Sequence, residues 1–189
     1  MLFRSLKSKP WLSDEGRERH FQWRLNVACC SAFLSTVESC LLTYFDEDFE
    51  RIIGERDISI EISQAWFSNS DSNSIRKIRD SLADVEYRKL LDEEKLRVNE
   101  GKEGSNIGVE FDVGLFQPVV RSIAILKKFI EFPRSAIWAL CLDEAEYLSM
   151  EYQRILNSHM RTYADGLVFK ITTIDRKSTR LNSSHNSNL

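Results

Sequence analysis

The sequence predicts an α/β protein in which a large helical portion precedes a small parallel β-sheet. Apolar residues recur at helical spacing over most of residues 13–99. Two short apolar runs, 136–142 and 167–173, are separated by one amphipathic stretch, which is the order of a strand, a crossover helix and a parallel strand. A polar segment with three glycines, 99–108, separates the two portions.

The first predicted helix begins after Ser13, whose hydroxyl can cap it, and its apolar spacing continues through Phe45. Trp11, Phe21 and Trp23 are interpreted as packing residues. Base stacking is the alternative, and no basic stripe accompanies these aromatic residues to favour it. The residues that carry the helical spacing are Phe21, Leu25, Ala28, Ala32, Leu34, Val37, Leu41 and Leu42.

The next two segments are more ambiguous. Residues 57–63 alternate apolar and polar side chains, which predicts a short strand, with a helix as the alternative. Residues 75–99 predict a charged helix that leans on the rest of the protein or forms an antiparallel pair. Its apolar stripe is predicted to comprise Ile75, Ile78, Leu82, Val85, Leu90, Leu91 and Leu96.

The portion from residue 109 onwards is predicted to be a βαβ core. Residues 109–113 alternate like a strand, and Pro118 suits the first turn of a helix that runs to Phe132 and stops at Pro133. The apolar run 136–142 then predicts a buried strand.

A second helix and strand complete this predicted core. Ser149 can cap a helix over 150–163, Asp165 and Gly166 turn the chain, and 167–173 predict another strand. Since one helix separates the two strands, they are expected to pair in parallel.

Composition narrows the function classes. The net charge of −3 argues against a dominant nucleic-acid surface within this chain, although another domain could bind DNA. No apolar run approaches the ~20 residues that span a bilayer, so no membrane partner is predicted. The four cysteines form no CxxC pair and no zinc spacing, which predicts a reduced, cytoplasmic protein with Cys141 buried in its strand.

Both ends of the chain resemble translated sequencing adapter. Residues 175–185, Asp-Arg-Lys-Ser-Thr-Arg-Leu-Asn-Ser-Ser-His, match the translation of a common short-read adapter, and residues 1–5, Met-Leu-Phe-Arg-Ser, match its counterpart on the opposite strand. We therefore expect residues 1–5 and 175–189 to be adapter-derived and the latter to be disordered. Residues 6–174 are then expected to be a fragment of one domain, with a missing true N-terminus.

The chemistry is predicted to lie where the strand 136–142 ends in acidic residues. Asp143 and Glu144 follow the apolar run directly, as in the Walker B pattern of nucleotide-hydrolysing proteins. A carboxylate there can hold Mg²⁺ through water and a second can orient the attacking water, roles that we assign to Asp143 and Glu144 respectively. Glu146 is expected to cap the following helix or face solvent. The structural alternative is a strand that simply meets a solvated turn.

The second strand ends in Thr172 and Thr173, whose hydroxyls are expected to lie near the γ-phosphate of a bound nucleotide; ordinary strand-end threonines are the alternative. No phosphate-binding loop is found in the chain. Gly101 and Lys102 suggest one, but Glu103 replaces the required serine or threonine and Leu96 stands where the first glycine belongs.

Three short segments resemble the Walker B to sensor-1 region of AAA+ ATPases, in the origin-recognition-complex-like branch. They are Leu-Asp-Glu-Ala-Glu-Tyr-Leu at 142–148, Gln-Arg-Ile-Leu-Asn-Ser at 153–158 and Phe-Lys-Ile-Thr-Thr at 169–173. By this resemblance Asp143 and Glu144 match the Walker B acids, and Thr172 or Thr173 matches the sensor-1 position, where many members use asparagine.

The resemblance implies an incomplete P-loop NTPase sheet, ATP and Mg²⁺ as ligands, a homo-oligomer, and a DNA or protein partner that ATP hydrolysis remodels. Walker A, the lid domain and the sensor-2 arginine are absent from the chain, so the parent protein is expected to be the ATPase and the isolated chain inactive. Arg154 and Arg161 are arginine-finger candidates, although a solvated helix face suits them better. His20 and His159 have no catalytic pattern nearby.

Two other functions stay open. Residues 143–146, Asp-Glu-Ala-Glu, also resemble the acidic motif of helicase-type NTPases, but the following strand lacks the Ser-Ala-Thr motif of DEAD-box enzymes. A non-catalytic helical interaction module is the other alternative, and the long helices predicted between Ser13 and Asn99 favour it.

Overall fold

A computed structural model describes residues 13–67, 71–98, 111, 113–143, 145, 148–162 and 167–172. The chain divides into two compact units, one comprising Ser8–Ala136 and the other Met1–Lys7 with Ile137–Leu189. The described part of the first unit consists of four α-helices. The described part of the second is a parallel pair of strands with one helix between them. The described chain is therefore mostly helical, with a small parallel sheet.

Helix α1 spans Asp14–Tyr44 and is the centre of the helical unit, where it contacts the three other helices. Its start is as predicted, because the Ser13 hydroxyl accepts a hydrogen bond of 3.1 Å from the amide of Gly16. Phe21 and Trp23 are buried, which confirms their interpretation as packing residues, whereas Trp11 lies outside the described residues.

The length and composition of α1 would also allow it to cross a membrane. It contains an 18-residue window with a mean hydropathy of 1.5, half of which is buried inside the protein. Serine, threonine and asparagine interrupt the apolar residues of this segment, so no continuous apolar run marks it in the sequence. Packing against three helices is a sufficient reason for its apolar composition.

Helix α2 spans Asp48–Trp66, so the predicted strand at 57–63 is wrong. Ile58 and Ile62 are both fully buried one helical turn apart, and Ser59 and Ser63 are buried beside them. These isoleucines fit both the alternating pattern of a strand and the spacing of a helix. Packing against the other helices selects the helix.

The corner between α1 and α2 depends on a glycine. The ring of Phe45 lies over Gly54, where a Cβ atom would come within 2.8 Å of the Phe45 Cζ. A larger side chain at Gly54 would therefore push the ring out of this corner.

Helix α3 spans Ile75–Val98, close to the predicted 75–99. Its predicted single stripe is wrong in the second half, since Leu90 and Leu91 are exposed while Lys89 and Glu93 are buried. The first half of the stripe is buried as predicted, and comprises Ile75, Ile78, Leu82 and Val85. The side chain of Leu96 lies outside the described part of the chain.

Asn26 of α1 connects that helix to the segment that precedes α4. Its side-chain oxygen accepts a hydrogen bond of 2.7 Å from the Phe116 amide, and its amide nitrogen lies 3.4 Å and 3.3 Å from the carbonyl oxygens of Phe111 and Val113. The predicted strand at 109–113 is not formed where it is described, because Phe111 lies in a turn and Val113 in a bend. Phe111 and Phe116 both have φ of 65°, in the left-handed region that extended strands do not use.

Helix α4 spans Gln117–Phe129, with Pro118 in its first turn as predicted, and it ends before Pro133. It packs on α1 and α2. The indole nitrogen of the buried Trp66 donates a hydrogen bond of 2.8 Å to the Ser122 hydroxyl, which itself donates to the carbonyl of Pro118. This polar contact fixes the α2–α4 interface.

The second unit has strand β1 (Trp138–Asp143), helix α5 (Met150–Thr162) and strand β2 (Leu167–Thr172). The strands are parallel, as predicted, and the predicted turn at Asp165 and Gly166 lies outside the described residues. Leu142 is buried, whereas Cys141 is exposed, so the prediction of a buried Cys141 is wrong. A strand in a parallel sheet is buried on a given face only where another layer covers that face. Among the described residues, no helix or strand covers the face that carries Cys141.

The four cysteines are expected to differ strongly in their reaction with a thiol reagent. Burial raises the pKa of Cys29 to about 12 and that of Cys30 well above its usual value, so neither thiolate forms near neutral pH. The half-buried Cys40, whose pKa burial also raises, should react slowly, and the exposed Cys141 first. Timed labelling of the native chain with mass mapping measures this order.

The control for this labelling experiment is Cys141→Ser, which should remove the fast phase and leave the slower ones unchanged. Unfolding in denaturant should make all four thiols react alike. Fast native labelling of Cys29 would contradict its position in the core.

Candidate functional site

The candidate site lies at the carboxyl end of the parallel strand pair. Asp143 is the last residue of β1 and Thr172 the last of β2, and they are direct partners in the register of the two strands. Neighbouring strands lie roughly 4.8 Å apart, so the two backbones bring these positions side by side. The side chain of Asp143 is exposed. Of Thr172 only the backbone is described, and Glu144, Glu146 and Thr173 lie outside the described residues.

A short turn leads from this acidic strand end into α5. Ala145 and Leu148 are buried, and the Leu148 amide donates a 3.2 Å hydrogen bond to the Ala145 carbonyl. Ser149 precedes α5, and its hydroxyl lies 3.4 Å from the Tyr152 amide, in the capping position that the sequence predicted. The Gln153 side chain donates to the Leu148 carbonyl at 3.0 Å. These contacts fix the start of α5 directly after the strand end.

Burial along β1 and α5 places Asp143 at the border between packed and open surface. Leu142 is buried, as are Tyr152 and Leu156 of α5, whereas Asp143 is exposed. A carboxylate at such a position can bind a cation without a large desolvation cost.

The chemistry of Mg²⁺ is compatible with this donor set. Mg²⁺ usually keeps several water ligands and takes only one or two protein carboxylates together with substrate phosphates. The described residues contain no group of three or more acidic, histidine or cysteine side chains that could enclose a metal ion. The exposed carboxylate of Asp143 suits a metal that a nucleotide brings with it.

The two arginine candidates lie on α5. Arg154 and Arg161 are both exposed, as a solvated helix face requires. His159 is half-buried on the same helix.

The structure also contains a buried polar cluster between α1 and α3 that no sequence pattern predicted. The Nδ1 of His20 in α1 lies 2.6 Å from a carboxylate oxygen of Glu93 in α3, and less than a tenth of either side chain is exposed. This distance brings the imidazole ring and the carboxylate into direct polar contact. One turn earlier on α3, the buried Lys89 ammonium lies 5.3 Å from the centre of the Trp23 ring, within cation–π range. His20 and Glu93 are 73 positions apart, so residue spacing could not predict their contact. The only indication in the sequence is that two polar residues, Lys89 and Glu93, occupy positions on the core side of a helix.

No curated protein and no solved structure matches the chain with significance. A family model described as ORC-CDC6-like matches residues 2–187. The matched range includes most of both terminal segments that resemble adapter sequence, and the adapter interpretation stays a prediction that sequencing of the source gene tests. Since the match covers nearly the whole chain, the protein belongs to the ORC-CDC6-like family.

Proposed function

We propose that this chain carries the Walker B and sensor-1 part of an ATP-hydrolysing AAA+ protein that remodels a macromolecular partner. Family membership relates the chain to AAA+ ATPases. The observation that carries the proposal is the register of the sheet, which pairs Asp143 with Thr172 at the carboxyl edge of two parallel strands. In parallel α/β sheets, ligands bind at this edge.

Each residue then has a distinct role. Asp143 binds Mg²⁺ through water, and Glu144 orients the water that attacks the γ-phosphate and accepts hydrogen bonds from it. A hydroxyl of Thr172 or Thr173 contacts the γ-phosphate from the neighbouring strand. The metal, when bound, neutralises charge on the phosphate oxygens. These roles require positioned carboxylates and hydroxyls and no covalent intermediate on the protein.

The chain has no sequence of the Walker A type, so the main phosphate-binding loop would have to lie outside it. We therefore expect hydrolysis by the complete protein and none by the isolated chain. An assembly of several copies, a cytoplasmic location and a DNA or protein partner belong to this proposal as expectations from the family.

ATP turnover by the complete protein tests the proposal. Glu144→Gln should lower kcat roughly 100-fold or more while nucleotide still binds, because the amide cannot orient the water in the same way. Asp143→Asn should weaken Mg²⁺-dependent nucleotide binding as well as turnover. Steady-state phosphate release and binding of a fluorescent nucleotide measure the two effects separately.

Glu151→Gln is the matched control, because Glu151 is an exposed carboxylate on α5 of the same unit. It should leave turnover and binding unchanged. Wild-type turnover that survives both Asp143→Asn and Glu144→Gln would refute the assigned roles.

A non-catalytic interaction module is the second candidate. It is favoured by the helical unit, whose four helices pack around a buried core of their own. In that case the complete protein would bind its partner without hydrolysing ATP, and neither Asp143→Asn nor Glu144→Gln would change this binding.

A further inference from the structure

Helix α2 presents an apolar surface to solvent at its N-terminal end. Three apolar side chains, which we call the α2 patch, are 72%, 64% and 36% exposed, namely Phe49, Ile52 and Ile53. At 100° per residue, the two isoleucines lie within about 60° of Phe49 around the helix axis. The sector that the three residues occupy contains no charged residue, so the patch is continuous. Contiguous exposed apolar side chains mark an interaction surface.

The helical unit holds α2 in the orientation that exposes this patch. Ile58 is fully buried and lies about 180° from Phe49 around the axis, so a rotation that covered Phe49 would expose the core isoleucine. The Trp66 indole, which donates to α4, holds the C-terminal end of the helix. The Phe45 ring over Gly54 holds the N-terminal end. The α2 patch is therefore presented to solvent in a fixed orientation.

Acidic side chains border the α2 patch on three sides. Asp48 and Glu50 lie on its two flanks, and Asp46 and Glu47 precede it at the corner between α1 and α2. All four side chains are exposed, and the Glu47 side chain makes no capping hydrogen bond to α2. Because Cα–Cβ bonds tilt towards the N-terminus of a helix, the apolar side chains of the patch lean towards this acidic corner.

The basic side chains of α2 do not neutralise the acidic border. Arg51 pairs with Asp48, and Arg56, which ends the patch on its fourth side, pairs with Asp57 at 2.9 Å. Residues 46–57 contain six acidic and two basic side chains, which gives this segment a net charge of −4.

Neighbouring segments offset little of this negative charge. The start of α3, where the Ile75 amide donates to Glu55 at 3.1 Å, has three basic and two acidic side chains over residues 71–80. Residues 130–135, which contact the Tyr44 ring, contain one acidic and one basic side chain. The surroundings of the α2 patch therefore remain acidic, and this charge indicates which partner fits.

We propose that the α2 patch docks a basic amphipathic helix of a partner protein. The apolar face of that helix covers the patch, and its lysine or arginine side chains meet the acidic border. A second copy of this chain, docked patch to patch, would set one acidic border against the other, and nucleic acid or an anionic lipid surface would be repelled likewise. The docking uses the helical unit and needs no nucleotide, so it does not depend on the proposed ATPase function.

A labelled synthetic helix of about 18 residues, with leucine along one face and lysine elsewhere, tests the proposal. Titration with the full chain, followed by fluorescence anisotropy, should give a Kd of roughly 100 μM or below at low salt. Added salt at about 0.5 M should weaken the binding several-fold, because the acidic border is exposed. A peptide with glutamate in place of every lysine should bind roughly 10-fold or more weakly.

Loss of the apolar side chains locates the binding on α2. Phe49→Ser with Ile52→Ser should weaken binding of the lysine peptide roughly 10-fold or more. Leu90→Ser with Leu91→Ser is the matched control, because it removes two exposed apolar side chains from α3. This control should bind the peptide like the wild type, and circular dichroism checks that each variant is folded.

Neutralisation of the border tests the charge complementarity. Glu47→Gln with Glu50→Gln should weaken binding of the lysine peptide about 5-fold at low salt and reduce its salt dependence. Asp84→Asn with Glu86→Gln makes the same change of charge at exposed positions on α3, and should leave binding unchanged.

Four results would overturn the proposal. They are no binding of the lysine peptide at about 500 μM protein, equal binding of the lysine and glutamate peptides, and equal losses in the α2 and α3 variants. The fourth is self-association of the wild-type chain that Phe49→Ser with Ile52→Ser abolishes, because a second copy would then cover the patch. Sedimentation equilibrium of the full chain measures this last result.

Discussion

Replacement of His20 by leucine is expected to lower the free energy of unfolding of the helical unit by about 3 kcal/mol. The change leaves the Glu93 carboxylate buried between α1 and α3 without its partner at 2.6 Å. Loss of one member of a buried polar pair costs several kcal/mol, since the remaining carboxylate loses a group that replaced its water. Urea denaturation followed by tryptophan fluorescence measures the change.

The double variant His20→Leu with Glu93→Leu separates the pair from its surroundings. Leucine at both positions removes the two polar groups together and fills the space with apolar atoms, so the stability of the double variant should return to within about 1 kcal/mol of the wild type. The coupling energy of the cycle should therefore be about 2 kcal/mol or more. Single variants whose effects simply add would refute a direct His20–Glu93 interaction.

The second large effect is expected from Asn26→Leu, which should destabilise the same unit by on the order of 3 kcal/mol. Leucine has a similar volume but cannot accept the hydrogen bond of the buried Phe116 amide or donate to the carbonyls of Phe111 and Val113. The buried Phe116 amide then loses its 2.7 Å hydrogen bond to the Asn26 side chain. Thermal unfolding should shift downwards by roughly 10 °C.

Asn157→Leu provides the matched control for Asn26, because it makes the same chemical change at an exposed position on α5. It should alter stability by less than about 0.5 kcal/mol. Asn26→Asp, which keeps the acceptor and loses the amide donor, should fall between the two. Equal stability of Asn26→Leu and the wild type would show that the Phe116 segment is held by other contacts.

Local sequence patterns were sufficient to predict the helices and strands whose apolar residues recur with one dominant period. The beginning of α1 at Ser13, the first turn of α4 at Pro118 and the parallel pairing of β1 with β2 follow from spacing and capping residues. At 57–63 the same isoleucines satisfy both a strand and a helix period, and only packing against other helices decides between them. A sequence window contains no information on that packing.

The candidate site was predictable to the extent that it depends on strand order. Spacing placed the ends of two parallel strands together, and the register indeed pairs Asp143 with Thr172. The exposure of Cys141 could not be predicted in this way, because burial in a strand depends on what covers each face. The His20–Glu93 pair and the Asn26 contacts join positions far apart in the chain. Local periodicity cannot predict such contacts.

The hydrogen bond from Phe116 to Asn26 joins residues 90 positions apart, and this separation has a consequence during synthesis. A ribosome that adds 5–20 residues per second needs roughly 5–20 s to translate the interval between the two. During that time the apolar α1 leaves the ribosome, and the segment that binds the Asn26 side chain has not yet been synthesised. Nascent chains stalled between Tyr44 and Phe116 should therefore bind chaperones through α1, and they should release them once α4 has emerged.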